Sequence, residues 1–229
     1  MKKVVVTCEH AGNEVPAEYE RLFDATPDVL HTHRGWDEGS LAIGRYLSNQ
    51  LSAPLYAQPV TRLLVEMNRS VDNPELFSDY SRHLPAEEKQ VILDRFYLPY
   101  RDEVEYKIRH LTETNAQVIH LSVHTFTPVF DGIERQVDIG LLCDEELEYE
   151  AEFCNIWKRT LERDLPQYLT MVNLPYNGAD DGFTTYLRTR FPSAQYLGIE
   201  LEVNQKYVGT KKFDQIQKAL SRTLLQLLD

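Results

Sequence analysis

Short β-branched runs recur along this chain, and between them lie segments whose apolar residues return at spacings of three and four. Lys3 to Cys8 (KVVVTC) is the first run, a buried strand that breaks into the polar, glycine-containing stretch EHAGNEVP. Trp36, Ser40, Ile43, Leu47 and Leu51 mark a helix beginning near Asp37, which stands as its N-cap or in its first turn. Leu55 to Ala57 and Leu63 to Met67 read as the next strands. Pro85 opens a helical segment toward Tyr97, and a further helix after Pro99 sets Val104, Ile108 and Leu111 on one face. Strands follow at Ala116 to Val123 and Asp138 to Cys143, then a helix striped by Leu147, Ala151, Cys154, Trp157, Leu161 and Leu165. A short strand ending near Val172, a strand over Tyr196 to Val203 and a helix lined by Phe213, Ile216, Leu220, Leu224 and Leu227 complete the pattern. The alternation predicts one α/β domain over residues 1–229, a three-layer sandwich with a mostly parallel or mixed central sheet and helices on both faces.

Charge narrows the partners. Lys and Arg number 24 against 36 Asp and Glu, a net charge of -12, and no basic run exceeds a pair, so a nucleic-acid partner is not expected. Local arginines can still bind a small carboxylate inside an acidic protein. Cys8, Cys143 and Cys154 lack CxxC spacing and read as buried thiols. No apolar stretch reaches membrane-spanning length, and Glu9 and His10 interrupt the first strand too early for a secretory leader. A cytoplasmic protein without a membrane partner is expected. The serine-hydrolase elbow, the phosphate loop and the dinucleotide fingerprint are all missing from the sequence.

Functional loops of such sheets gather beyond the C-terminal ends of the strands. Glu9 and His10 follow the first strand, His124 follows the strand AQVIHLSV, and Glu200 and Glu202 lie on the last. Two imidazoles and a carboxylate suit a catalytic zinc site with one position left open, and a further carboxylate can carry the proton. Alternation in YLGIELEV puts Glu200 and Glu202 on one face. A solvated edge strand gives the same pattern, but a sheet covered on both sides makes carboxylates costly unless paired or bound to a cation. Asn68 and Arg69 form a candidate fork for a substrate carboxylate. A lone strand-end arginine is more often a surface ion pair; Arg62 brackets the same segment LLVEM at its other end, and Arg135, near Asp138, has a similar dual reading, as a contact to or behind the substrate or as half of a local salt bridge. His120 reads as a packed, hydrogen-bonded histidine.

Taken together, VVTCEHAGNEVP (5–16), HRGWDEG (33–39), TRLLVEMNRS (61–70), HLSVHTFTPV (120–129), RQVDIGLL (135–142), NLPYNG (173–178) and GIELEVNQ (198–205) resemble the N-formylglutamate amidohydrolase family over almost the whole chain. That family is similar in turn to the zinc carboxypeptidase-type fold. The resemblance implies a zinc-dependent hydrolase acting on the linear amide of N-formyl-L-glutamate or a related small anionic N-acyl amino acid, as a monomer or homodimer. It implies His10 and His124 as zinc ligands. The carboxypeptidase pattern has a glutamate three residues after the first histidine, where this chain has Asn13, so the third ligand stays open between Glu9 and Asp37. Glu202 matches the general acid/base, with Glu200 as the alternate because ELE permits a two-residue slip. Asn68 and Arg69 match a terminal-carboxylate clamp, and Arg62 and Arg135 are candidates for a second substrate carboxylate. Arg101 stands where the family commonly has a histidine. The alternative is an inactive small-ligand or protein-binding module of the same fold.

Overall fold

Val4, Val5 and Val6 are buried on both faces of strand β1 (Lys2–Cys8), as a β-branched run must be at the centre of a covered sheet. The computed structural model describes residues 1–228. After β1 the chain forms α1 (Ser40–Leu51), β2 (Leu55–Ala57), α2 (Ala86–Ile92) and α3 (Leu98–Glu113). Next come β3 (Gln117–Phe126), a small hairpin of β4 (Val129–Phe130) and β5 (Ile133–Glu134), β6 (Ile139–Leu142), and α4 (Glu148–Asp164). The chain ends with β7 (Thr170–Val172), α5 (Phe183–Arg188), β8 (Tyr196–Asn204) and α6 (Lys211–Leu228).

The central sheet has six strands in the order β2-β1-β3-β8-β6-β7. β2, β1, β3 and β8 run parallel, while β6 is antiparallel to β8 and carries β7 with it, so the sheet is mixed. The C-terminal ends of β1, β3 and β8 therefore reach the same edge. One face packs Ile43 and Leu47 of α1, Cys154, Trp157 and Leu161 of α4, and Ile216, Leu220 and Leu224 of α6. The other meets Ile92 of α2, Val104 and Ile108 of α3, and Phe183 and Leu187 of α5. Toward the C-terminal edge this second face turns polar, with Thr7, Glu9, His120, Ser122, His124 and Glu202 all buried. Buried polar groups must find partners, so this seam is where chemistry can sit.

Three sequence expectations change. Leu63–Met67 is not a strand: turns carry it, with Leu64 N–H bonded to Thr61 O and Arg69 N–H to Glu66 O. Its apolar residues are buried because the segment crosses beneath the second face, and an apolar run alone does not separate strand from other buried backbone. Residues 86–113 are continuous helix, α2 passing into α3 through a π-helical turn at Leu93–Tyr97. Pro99 lacks an N–H and crowds the carbonyl four residues back, which the widened turn accommodates. Asp37 does not cap α1, whose N-cap is Gly39 at φ 92°; its carboxylate is engaged elsewhere.

A buried ion pair ties α4, α5 and the central strand β8 to the loop before α5. Arg188 lies 3.0 Å from Glu150, whose carboxylate also accepts from Gly198 N–H, while Arg188 donates to Gly178 O in the loop before α5. Glu150→Ala strands a buried guanidinium and is expected to cost about 3–5 kcal/mol. For a chain of this size that lowers Tm by roughly 6–20 °C, read by thermal melting.

Candidate active site

β1 ends at Cys8, and the backbone beyond it delivers His10, whose carbonyl accepts the Asp37 N–H at 3.1 Å. His124 lies near the end of β3 and pairs in register with Glu202 of β8. The Nδ1 atoms of His10 and His124 lie 3.1 and 2.9 Å from one oxygen, Asp37 Oδ2. All three residues are buried, and they offer ligand atoms within 4.8 Å of one another. Neighbouring ligands of a tetrahedral zinc ion stand slightly more than about 3 Å apart, given bonds of about 2.0–2.2 Å.

The distal ring nitrogens are also engaged. His10 Nε2 meets Glu66 Oε1. His124 Nε2 lies 2.8 Å from Ser122 Oγ, which donates to Glu9 Oε2 at 2.7 Å. A carboxylate behind each imidazole keeps Nε2 protonated and leaves the Nδ1 lone pair for a cation. The donor set thus fits a divalent metal. Asp37, not Glu9, joins the two histidines. Glu9 stands behind His124, its second oxygen accepting from Tyr100 Oη at 3.3 Å. Asn13 faces away and donates to Leu30 O.

Arg62 sits between two carboxylates, 3.3 Å from Asp37 Oδ1 and 2.7 Å from Glu66 Oε2. Burial opposes both charges, but His10 and Arg62 hold Asp37 and Glu66 well below the usual carboxylate range. Glu202 is different. Burial pushes its carboxyl up to about 8, with Asp37 and Glu200 adding and His124 and Arg62 opposing. Its Oε2 is buried without a hydrogen-bond partner, and the residue lines the same cavity as the triad. Gly140 opposite permits this packing, since a Cβ there would lie 2.2 Å from Leu174 O and 3.1 Å from Glu202 Cβ.

Asn68 and Arg69 line the cavity too. Asn68 Oδ1 accepts from Phe183 N–H at 2.7 Å, which leaves its amide NH₂ for a ligand. Arg69 donates to Asp181 O at 2.8 Å. Beneath them Arg101 is buried, its guanidinium 4.3 Å from the Phe183 ring centroid, and it donates to Met67 O and Arg69 O. Arg135 lies outside the lining: it stacks on Phe130 and Tyr176 and donates to Tyr176 Oη at 3.0 Å. His120 is packed as expected, between Thr7 Oγ1 and Tyr196 Oη at 2.8 Å each, and burial lowers it to about 4.

Sequence reading missed Glu66, Ser122, and the Tyr176, Asn177 and Asp180 wall. Glu66 did leave a signal, as a lone carboxylate in the apolar segment LLVEM that needs a buried partner. Ser122 shares the strand face of His124 by alternation, and Tyr176 and Asn177 lie in the NLPYNG motif, but their bonds and places in the cavity depend on packing that the sequence does not show.

A family model for N-formylglutamate amidohydrolase matches residues 2–208. Among solved structures, the chain is similar to a gene product of Agrobacterium tumefaciens at 25% identity and a TM-score of 0.82, covering 99% of this chain and 92% of that one. It also shares the fold of an N-formylglutamate amidohydrolase from Ralstonia eutropha, with a TM-score of 0.71 at 19% identity over 98% of this chain and 92% of that one. No curated protein matches the chain. No helix among the described residues is long and apolar enough to cross a membrane.

Proposed function

This chain belongs to the N-formylglutamate amidohydrolase family, and from that premise we propose that it is a zinc-dependent enzyme cleaving the amide of an N-formyl or related N-acyl amino acid. The observation that carries the reading is the buried, unpartnered Glu202 carboxyl sharing one cavity with the His10, Asp37 and His124 triad. Zinc held by that triad supplies Lewis acidity, polarising a carbonyl and bringing the pKa of water toward about 7.

The remaining work falls to the chain's own side chains. Glu202 accepts the proton of the attacking water and returns it to the amide nitrogen, which leaves poorly unless protonated. Its raised pKa suits both halves of that transfer, because a carboxyl near the operating pH can take a proton and release it. Glu200 is turned to another partner, accepting from Thr184 Oγ1 at 2.9 Å, so Glu202 is the better base. Arg69 and the Asn68 amide hold the α-carboxylate and fix the scissile carbonyl in position. Arg62 orients Asp37 and Glu66 through its two ion pairs, a different task from meeting a second substrate carboxylate.

The test is release of formate from N-formyl amino acids by untagged, zinc-supplemented protein, abolished by a chelator and restored by zinc. Saturable amino-acid binding with neither turnover nor bound metal would favour the binding module instead. Arg69→Ala is expected to lower kcat/KM by about 10- to 150-fold, the equivalent of about 1.5–3 kcal/mol for a charge-assisted bond. A neutral α-amide analogue should show little of that loss. An equal loss on both substrates would remove Arg69 from the clamp.

A further inference from the structure

Between β2 and α2 the chain forms neither helix nor a strand of the central sheet, and the Asn68–Arg69 clamp sits in that irregular stretch. A carboxylate fork carried on turns keeps its geometry only if specific bonds fix it. Tyr97 Oη donates to Arg69 O at 2.7 Å, and Arg101 donates to Met67 O and Arg69 O. Those bonds fix the main chain and do not reach the Arg69 guanidinium.

The loop before α5 supplies what is missing. Asp181 O accepts from Arg69 Nη1 at 2.8 Å. The Asp181 carboxylate takes three donors from the turn that follows Arg69. Ser70 N–H at 3.0 Å and the Asn73 amide at 2.6 Å meet Oδ2, and the Ser70 hydroxyl meets Oδ1. Two residues on, Phe183 N–H donates to Asn68 Oδ1 and so sets which way the Asn68 amide points. One segment thus aims both arms of the clamp. Among the described residues Arg69 makes no ion pair, and its Nη1 donates to carbonyls, Asn68 O and Asp181 O. The guanidinium is oriented by neutral acceptors and keeps its charge for an anion. Burial opposes the Asp181 charge, yet the Ser70 and Asn73 donors hold its carboxyl below the usual range. Fixing a long side chain beforehand removes an ordering cost from binding.

We propose that Asp181 is a positioning residue that holds Arg69 and Asn68 in place for the α-carboxylate and acts on the substrate through that clamp. The inference rests on the amidohydrolase reading and adds a residue to it. Asp181 borders the cavity, but its carboxylate oxygens are taken up by Ser70 and Asn73.

The experiment compares kcat/KM for N-formyl-L-glutamate and its α-amide on zinc-loaded wild type, Asp181→Ala, Asp181→Asn, Arg69→Ala and the Asp181→Ala/Arg69→Ala double variant. Zinc content and thermal melting check the fold. Asp181→Ala keeps its own carbonyl but frees the loop that places it. It is expected to lose about 5- to 20-fold on the acid and less than about twofold on the α-amide. Asparagine can keep all three contacts, its oxygen replacing Oδ2 and its NH₂ donating to a rotated Ser70 hydroxyl. Asp181→Asn should therefore stay within about threefold of wild type. The double variant should be no more than about twofold worse than Arg69→Ala, since both changes disable one clamp. No loss on the acid, an equal loss on both substrates, an Asp181→Asn loss as large as that of Asp181→Ala, or losses that multiply in the double variant would each overturn the inference. None of these would touch the amidohydrolase reading. Should no substrate be turned over, that reading fails, and calorimetry decides the clamp. Tighter wild-type binding of the acid than of the α-amide, lost in Asp181→Ala, supports the inference, and equal binding of the two by wild type overturns it. If Asp181→Ala does not fold, the Ser70→Ala/Asn73→Ala variant removes donors from the other side and carries the same expectation.

Discussion

Glu202→Gln is expected to lower kcat by about 10²- to 10⁴-fold, the range for loss of a positioned general base, with zinc content and fold preserved. The amide has nearly the shape of the carboxylate but cannot take a proton from water. It also removes the negative charge that burial opposes at this position, so near pH 8 and above the ion-free variant should melt no lower than wild type. Wild-type kcat/KM should fall on the acid side as Glu202 protonates. In the ion-free protein that carboxyl titrates near 8, raised by burial, and a bound dication draws it lower. The acid limb therefore lies at or below about 8, and it vanishes from the residual activity of the variant. The stability sign is separate. A carboxyl raised above its unfolded value favours folding most fully below the unfolded pKa, and this contribution is lost as pH rises toward about 8. The ion-free protein should thus weaken over that interval, and Glu202→Gln should flatten the dependence. Full turnover by Glu202→Gln, with Glu200→Gln inactive and still metal-loaded, would move the acid/base role by two residues.

How much of this was legible beforehand follows from how local each signal is. β1, β3 and β8 announce themselves by β-branched burial, and α1, α4 and α6 by apolar stripes, because both patterns are set by near neighbours. Alternation in β8 correctly placed Glu200 and Glu202 on the face away from Ile199 and Leu201. The Leu63–Met67 segment misled because its apolar residues pack beneath the sheet without joining it. Asp37 was legible as a helix-start residue and as a ligand candidate, and only the fold shows which use takes its oxygens. Two histidines, one just beyond β1 and one on β3, claim one oxygen and Arg62 the other. The task of Arg62 depends on Glu66, four residues on in a turn that no periodicity foretold. Residues whose partners are distant in sequence keep their identity in the sequence but not their role.

Metal binding gives the other large expected effect, with readouts independent of turnover. Purified without an affinity tag and supplied with zinc, the protein should hold about one ion per chain. At a free ion concentration of a hundred times Kd, one-site binding stabilises the fold by about 2.7 kcal/mol, or roughly 5–11 °C in Tm for a chain of this size. His124→Ala should abolish both the stoichiometry and the shift, since two ligands remain from the triad of His10, Asp37 and His124. Glu66→Gln makes a subtler cut. It leaves every triad atom in place but weakens the acceptor that holds the His10 Nε2 proton, and it breaks the Arg62 ion pair that braces Asp37. Loss of such a supporting carboxylate typically costs about 10- to 100-fold in metal affinity, so zinc titration should rank wild type above Glu66→Gln above His124→Ala. Asn13→Asp serves as the control, because Asn13 bonds to Leu30 O away from the site and its replacement should leave zinc affinity unchanged. Wild-type protein that stays free of metal at saturating zinc, with no shift in Tm, would leave the buried triad as a hydrogen-bonded cluster and remove the metal from the reading.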